Sequence, residues 1–183
     1  MKYCSNCGMP VQLRIPEGDT LPRHVCSTCS IIHYENPKIV VGCIPEWEDK
    51  ILLCRRAIEP RQGLWTLPGG FMENSESLVQ GAERETREEA NARVEMGELY
   101  SIYSLPHINQ VHVLFRARLL DLDFKPGIES LDVKLFQEAE IPWDTLAFRV
   151  IREPLKRYFE ERRRGQLGFH LGTIEDVPKR SAK

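Results

Sequence analysis

The chain contains no apolar run approaching the roughly 18 residues of a membrane-spanning helix, so nothing in it reads as a membrane span. Nor does an apolar stretch follow Met1-Lys2-Tyr3-Cys4-Ser5-Asn6-Cys7, as it would in a secretion signal, and a cytoplasmic location is expected. Charge of one sign is also missing. With 25 basic and 27 acidic residues the formal net charge is −2, too small a field to collect nucleic acid or an anionic membrane. A polyanionic ligand must therefore be held locally. Internal repeats and low-complexity tracts are absent as well. What is present is 183 residues with 42% hydrophobic content, enough for one ordinary domain and a small appendage.

Six cysteines in an intracellular chain argue for thiols and a metal rather than for a disulfide scaffold. Cys4 and Cys7 are two residues apart, as are Cys26 and Cys29, and 18 residues separate the pairs. Each Cys-x-x-Cys turn can aim two sulfurs at one ion, and two such turns close a tetrahedral Zn²⁺ site with no vacancy for substrate. Zinc is therefore assigned a structural role, holding residues 1–34, which have too few large apolar side chains to build a core. A ribbon that reads nucleic acid through Arg14, Arg23 and His24 is the less favoured alternative. Cys43 and Cys54 are read as small buried apolar residues.

After the Asn36-Pro37 turn the texture changes. The runs Ile39–Ile44 and Ile51–Cys54 predict a hairpin, Val111–Leu119 alternates as a strand does apart from Leu114, and Leu131–Phe136 predicts another strand. Strong helix formers predict a helix from about Ser77 to Ala90, and a second is expected from about Thr145 to Arg164, kinked at Pro154. The segment after Gly165 shows no periodicity, and residues 176–183 are expected to be disordered.

On the first helix, Glu85, Glu88 and Glu89 fall on one face, because positions three and four apart are neighbours. Like charges repel there unless cations neutralise them, and an all-oxygen donor set suits a hard ion such as Mg²⁺ or Mn²⁺. Val79, Ala82, Thr86 and Ala90 form the stripe expected to pack on the sheet, while Gly81 is expected to leave room for a ligand. Asn91 can end the helix in the left-handed conformation.

The stretch GFMENSESLVQGAERETREEANA, from Gly70 to Ala92, resembles the Nudix box, with Gly70, Glu76, Arg84, Glu85, Glu88 and Glu89 at its fixed points. It departs at Thr86, in an aliphatic position, and at Asn91, in place of the closing glycine. The resemblance implies an α/β fold, the Nudix α/β/α sandwich with a mixed central sheet over residues 35–175, preceded by a zinc ribbon. It also implies Glu85, Glu88, Glu89 and the Gly69 carbonyl as ligands of the catalytic metal, with Arg84 and Glu76 as a supporting pair. The general base is Glu85 or Glu129, and Arg56 and Gln110 are candidate substrate contacts.

A zinc ribbon joined to a Nudix domain is shared by two groups. The Ser-Gln-Pro-Trp-Pro-Phe-Pro segment of NADH pyrophosphatases has no counterpart in Leu99–His107, so the chain more closely resembles the bacterial and plant enzymes that split FAD or ADP-ribose. That implies hydrolysis of a small-molecule nucleotide's pyrophosphate to two monophosphates, in a protein whose relatives are commonly homodimers. Alternatives are a nucleotide-sugar or dinucleoside polyphosphate hydrolase, or a non-catalytic nucleotide- or nucleic-acid-binding protein.

Overall fold

The computed structural model describes residues 1–175, so the expected disorder of the tail lies outside the described residues. The chain divides into two compact units, one from Met1 to Pro37 and one starting at Lys38. In the first, β1 (Val11–Arg14), β2 (Arg23–Cys26) and β3 (Ile32–His33) form a small antiparallel sheet, flanked by the turns that carry the cysteine pairs.

The second unit is built around one mixed sheet. Its strands are β4 (Lys38–Trp47), β5 (Lys50–Arg56), β6 (Trp65–Thr66), β7 (Gly69–Phe71), β8 (Val94–Leu105), β9 (Gln110–Leu119), β10 (Ser130–Phe136) and β11 (His170–Thr173), in the spatial order β10-β5-β4-β9-β8-β11. β4 and β9 run parallel down the centre, and β11 lies parallel to β8 at one edge. The predicted hairpin is present, but β4 and β5 pair only beside their turn, at Glu46–Ile51 and Trp47–Lys50. Beyond that they part. β6 takes the edge of β5 and β7 takes the edge of β4, which sets the Leu67-Pro68 corner and the Gly69-Gly70 turn into the split.

Two helices cover the sheet, α1 (Leu78–Ala90) and α2 (Arg149–Arg164). Val41, Cys43, Val113 and Phe115 pack with Ala82 of α1, whereas Ile44, Leu53, Leu114 and Tyr103 pack with Val150, Leu155 and Tyr158 of α2. This explains the break in the alternation of β9: Leu114 sits on the second face, which is also covered. α2 begins later than expected, because a 3₁₀ turn at Trp143–Thr145 precedes it, and helical structure continues on both sides of Pro154. The segment after Gly165, which shows no periodicity in sequence, supplies β11.

Candidate active site

Ser77 caps α1 by accepting from the Gln80 N–H at 3.2 Å while the Gln80 side chain accepts from the Ser77 N–H at 2.8 Å. At the other end Asn91 adopts φ 49°, and the last turn is tied to the loop before β10. Lys125 and Gly127 donate backbone N–H groups to the carbonyls of Ala90 and Glu89, and the Asn91 amide donates to the carbonyls of Lys125 and Pro126. A side chain at Gly127 would put Cβ only 1.7 Å from the Glu88 carbonyl oxygen, so glycine is required by close approach. The loop that carries Glu129 is thereby clamped to the end of the helix that carries the glutamates.

Ala82, Thr86 and Ala90 are buried as the helical period requires, and the Thr86 hydroxyl bonds back to the Ala82 carbonyl at 2.7 Å. Val79 leaves the stripe and is exposed. Nor is Gly81 open to a ligand: a Cβ there would meet the Glu76 carboxylate and Val41, each at 2.8 Å, so its missing side chain makes room for Glu76. Cys43 and Cys54 are buried, and burial pushes the Cys43 thiol up to about 12.

The acids differ in setting. Glu89 is buried and accepts from the Gly69 N–H at 3.2 Å, Glu85 lies against Gly70, and Glu88 is exposed. Arg84 is the hub. It donates to Glu76 through Nε at 3.0 Å and Nη2 at 2.8 Å, to Glu85 at 2.8 Å, to Glu88 at 3.1 Å and to the Phe71 carbonyl at 3.0 Å. The Arg84 bond pulls Glu76 down to about 2, whereas burial raises Glu85 and pushes Glu89 up to about 8. Negative charge at Glu85 and Glu129 adds to the Glu89 shift, and Arg56 opposes it.

These groups line a cleft of about 1670 Å³ that also takes in Arg56, Gln110 and Glu129. All the acids assigned to the site from the sequence thus border one space except Glu76, which stands behind Arg84. Arg56 bonds the Pro60 carbonyl at 2.9 Å and stacks 5.2 Å from the Phe148 ring centroid. The glutamates do not converge on one point, because Arg84 holds Glu85 and Glu88 while Gly69 holds Glu89. Their chemistry nevertheless fits a hard divalent ion: the donors are all oxygen, and a buried carboxylate beside two others needs a cation to stay ionised.

In the first unit the Sγ atoms of Cys4, Cys7, Cys26 and Cys29 lie within 4.8 Å of one another, with Cys4–Cys29 at 3.6 Å and Cys7–Cys26 at 3.5 Å. A tetrahedron with Zn–S bonds of about 2.3 Å would place its sulfurs ~3.8 Å apart, and the cluster is close to that size. The Cys29 and Thr28 N–H groups favour the Cys26 thiolate. Buried His33 sets Nε2 3.3 Å from Cys4 Sγ, placed where it would orient the thiolate of a metal ligand. Its lone position outside the cysteine spacing left no signal in the sequence.

A family model described as the NUDIX domain matches residues 36–158, and one described as Nudix N-terminal, a zinc ribbon, matches residues 2–35. The chain belongs to the Nudix hydrolase family. A Nudix hydrolase from Nitrosomonas europaea has a crystal structure with TM-score 0.94 and 70% identity, covering 96% of this chain and 100% of that one. An ADP-ribose pyrophosphatase structure from Streptococcus suis aligns with TM-score 0.62 at 27% identity, over 74% of this chain and 99% of that one. In sequence, an ADP-ribose pyrophosphatase of Methanocaldococcus jannaschii is 31% identical over 60% of this chain and 67% of its own length. An NAD-capped RNA hydrolase of Stutzerimonas stutzeri is 26% identical over 96% of this chain, which spans 59% of that relative.

Proposed function

We propose that this Nudix protein hydrolyses the pyrophosphate bond of an ADP derivative, ADP-ribose before FAD, in a reaction that depends on Mg²⁺ or Mn²⁺. One observation carries the reading: Glu85, Glu88 and Glu89 border a single cleft with the Gly69-Gly70 turn, and the cleft continues well beyond them, with room for a nucleotide. The preference for ADP-ribose draws support from the relatives of that name, and FAD, which shares its ADP half, comes second.

Glu85, Glu88, Glu89 and the Gly69 carbonyl would hold the ion, which would supply charge stabilisation at the phosphoryl oxygens and a more acidic bound water. Arg84, itself fixed by Glu76, orients Glu85 and Glu88. Gly70 lets Glu85 approach the turn. Arg56 adds a positive charge to the cleft for the diphosphate. Glu129, held beside the acidic cluster by the clamped loop, or Glu85 takes the proton from water as it attacks one phosphorus, and the products are AMP with ribose 5-phosphate or with FMN. Zinc at the four cysteines is structural.

The test is parallel turnover of ADP-ribose, FAD, NADH, a nucleotide sugar and a diadenosine polyphosphate, each with Mg²⁺ and with Mn²⁺. ADP-ribose giving the highest kcat/KM, with no turnover in the absence of either ion, is expected. Metal-independent turnover, or preference for a substrate without an ADP half, would refute the proposal.

A further inference from the structure

Beyond the acids, the cleft floor carries an ordered row of side chains. Val40 pairs with Phe71 on one side and with His112 on the other, and residues directly opposite in a sheet project to the same face. With strands about 4.8 Å apart, His112 lies ~10 Å across the sheet from the Gly70-Phe71 segment against which Glu85 rests, a span comparable with one nucleoside. Gln110 and Phe71 border the same space, and Phe71 is half-exposed, with the Lys38 ammonium 5.0 Å from its ring centroid.

His112 and Gln110 form a pair with Nε2 3.0 Å from the amide oxygen. An amide oxygen only accepts, so His112 carries its proton on Nε2 and presents a bare Nδ1, while the Gln110 NH₂ remains as a donor. Were the amide turned over, Nδ1–H would donate and the amide oxygen accept. Either orientation offers one donor and one acceptor. Burial holds the imidazole neutral by lowering its pKa to about 4, so the acceptor persists at ordinary pH. Gln110 and His112 both line the cleft and neither is fully buried.

We propose that Gln110 and His112 read the adenine edge of the substrate, where an exocyclic amino donor adjoins a ring-nitrogen acceptor, with Phe71 and Val40 as the apolar surface against which the base lies. This rests on the ADP-derivative reading above and makes the pair determinants of specificity. Such an edge matches donor to acceptor and acceptor to donor, and a site built this way discriminates against an analogue that leaves its groups unpaired.

The experiment separates the two ideas. Calorimetric titration without added divalent metal compares AMP with purine riboside 5′-monophosphate, which lacks the amino group, on the wild-type protein and on Gln110→Leu and His112→Phe. Wild type should bind AMP about tenfold more tightly than the analogue, and each variant should lose most of that difference while still binding both. In turnover of ADP-ribose, the variants should raise KM by about tenfold and leave kcat within about twofold. Equal binding of the two nucleotides by wild type, or undiminished discrimination in both variants, overturns the proposal. If discrimination holds but wild type does not cleave ADP-ribose, base reading stands and the hydrolytic proposal falls. Because the wild-type comparison decides on its own, misfolding of a variant cannot rescue the idea.

Discussion

At the scale of single residues, close approach and burial set the strongest constraints. A Cβ on Gly70 would lie 2.5 Å from a Glu85 carboxylate oxygen, so Gly70→Ala must push that carboxylate aside. Turnover is expected to fall by about 10²-fold with little change in Tm, since only a side-chain end moves and small displacements of catalytic groups are costly. The two candidate bases separate by their metal response. If Glu129 is the base, Glu129→Gln lowers kcat by roughly 10²–10⁴-fold without altering the metal concentration for half-maximal rate, whereas Glu85→Gln chiefly raises that concentration. Normal turnover by Glu129→Gln would return the role to the helix. His112 makes a pH prediction. The unfolded chain takes up its proton near pH 6.5, the folded one only near 4, so stability should decline as pH falls through that window. In His112→Phe this part of the decline should disappear from urea midpoints measured between pH 7 and 4.

Among the elements, α1 is the most legible in the sequence, because its formers, its serine cap and the left-handed asparagine all act within a few residues. β8 is not. Gly97 and Glu98 interrupt its alternation, and register shifts at Met96–Leu99 and Leu99–Ser101 mark bulges that a period of two cannot anticipate. β11 exists only because β8 offers an edge far away in sequence. The glutamates that border the cleft stand out in the sequence through their spacing, whereas the surroundings of Gly81 and Gly127 depend on which atoms arrive beside them. The ribbon is the element with least core of its own. Zinc binding to small motifs contributes roughly 10–16 kcal/mol at neutral pH, so Cys26→Ser or chelation should expose residues before Pro37 to protease while α1 stays protected. Elemental analysis should give one zinc per folded chain; cleavage starting instead near α1 would contradict the structural assignment.

For the whole molecule, the order of events in folding follows from the pairing at its centre. β4 meets β9 along nine consecutive residue pairs, each joining partners about 70 residues apart, and α1 lies in the intervening chain. Such pairing must close a long loop before any of it is stabilised, which makes it slow. The helix can nucleate early through its own cap, but the floor beneath the acids exists only once β4 and β9 have joined. On dilution from urea, far-ultraviolet ellipticity should therefore recover ahead of AMP binding. In the interval, the chain would carry its glutamates on a formed helix with no surface to lay a nucleotide upon, so competence is the last property the protein acquires.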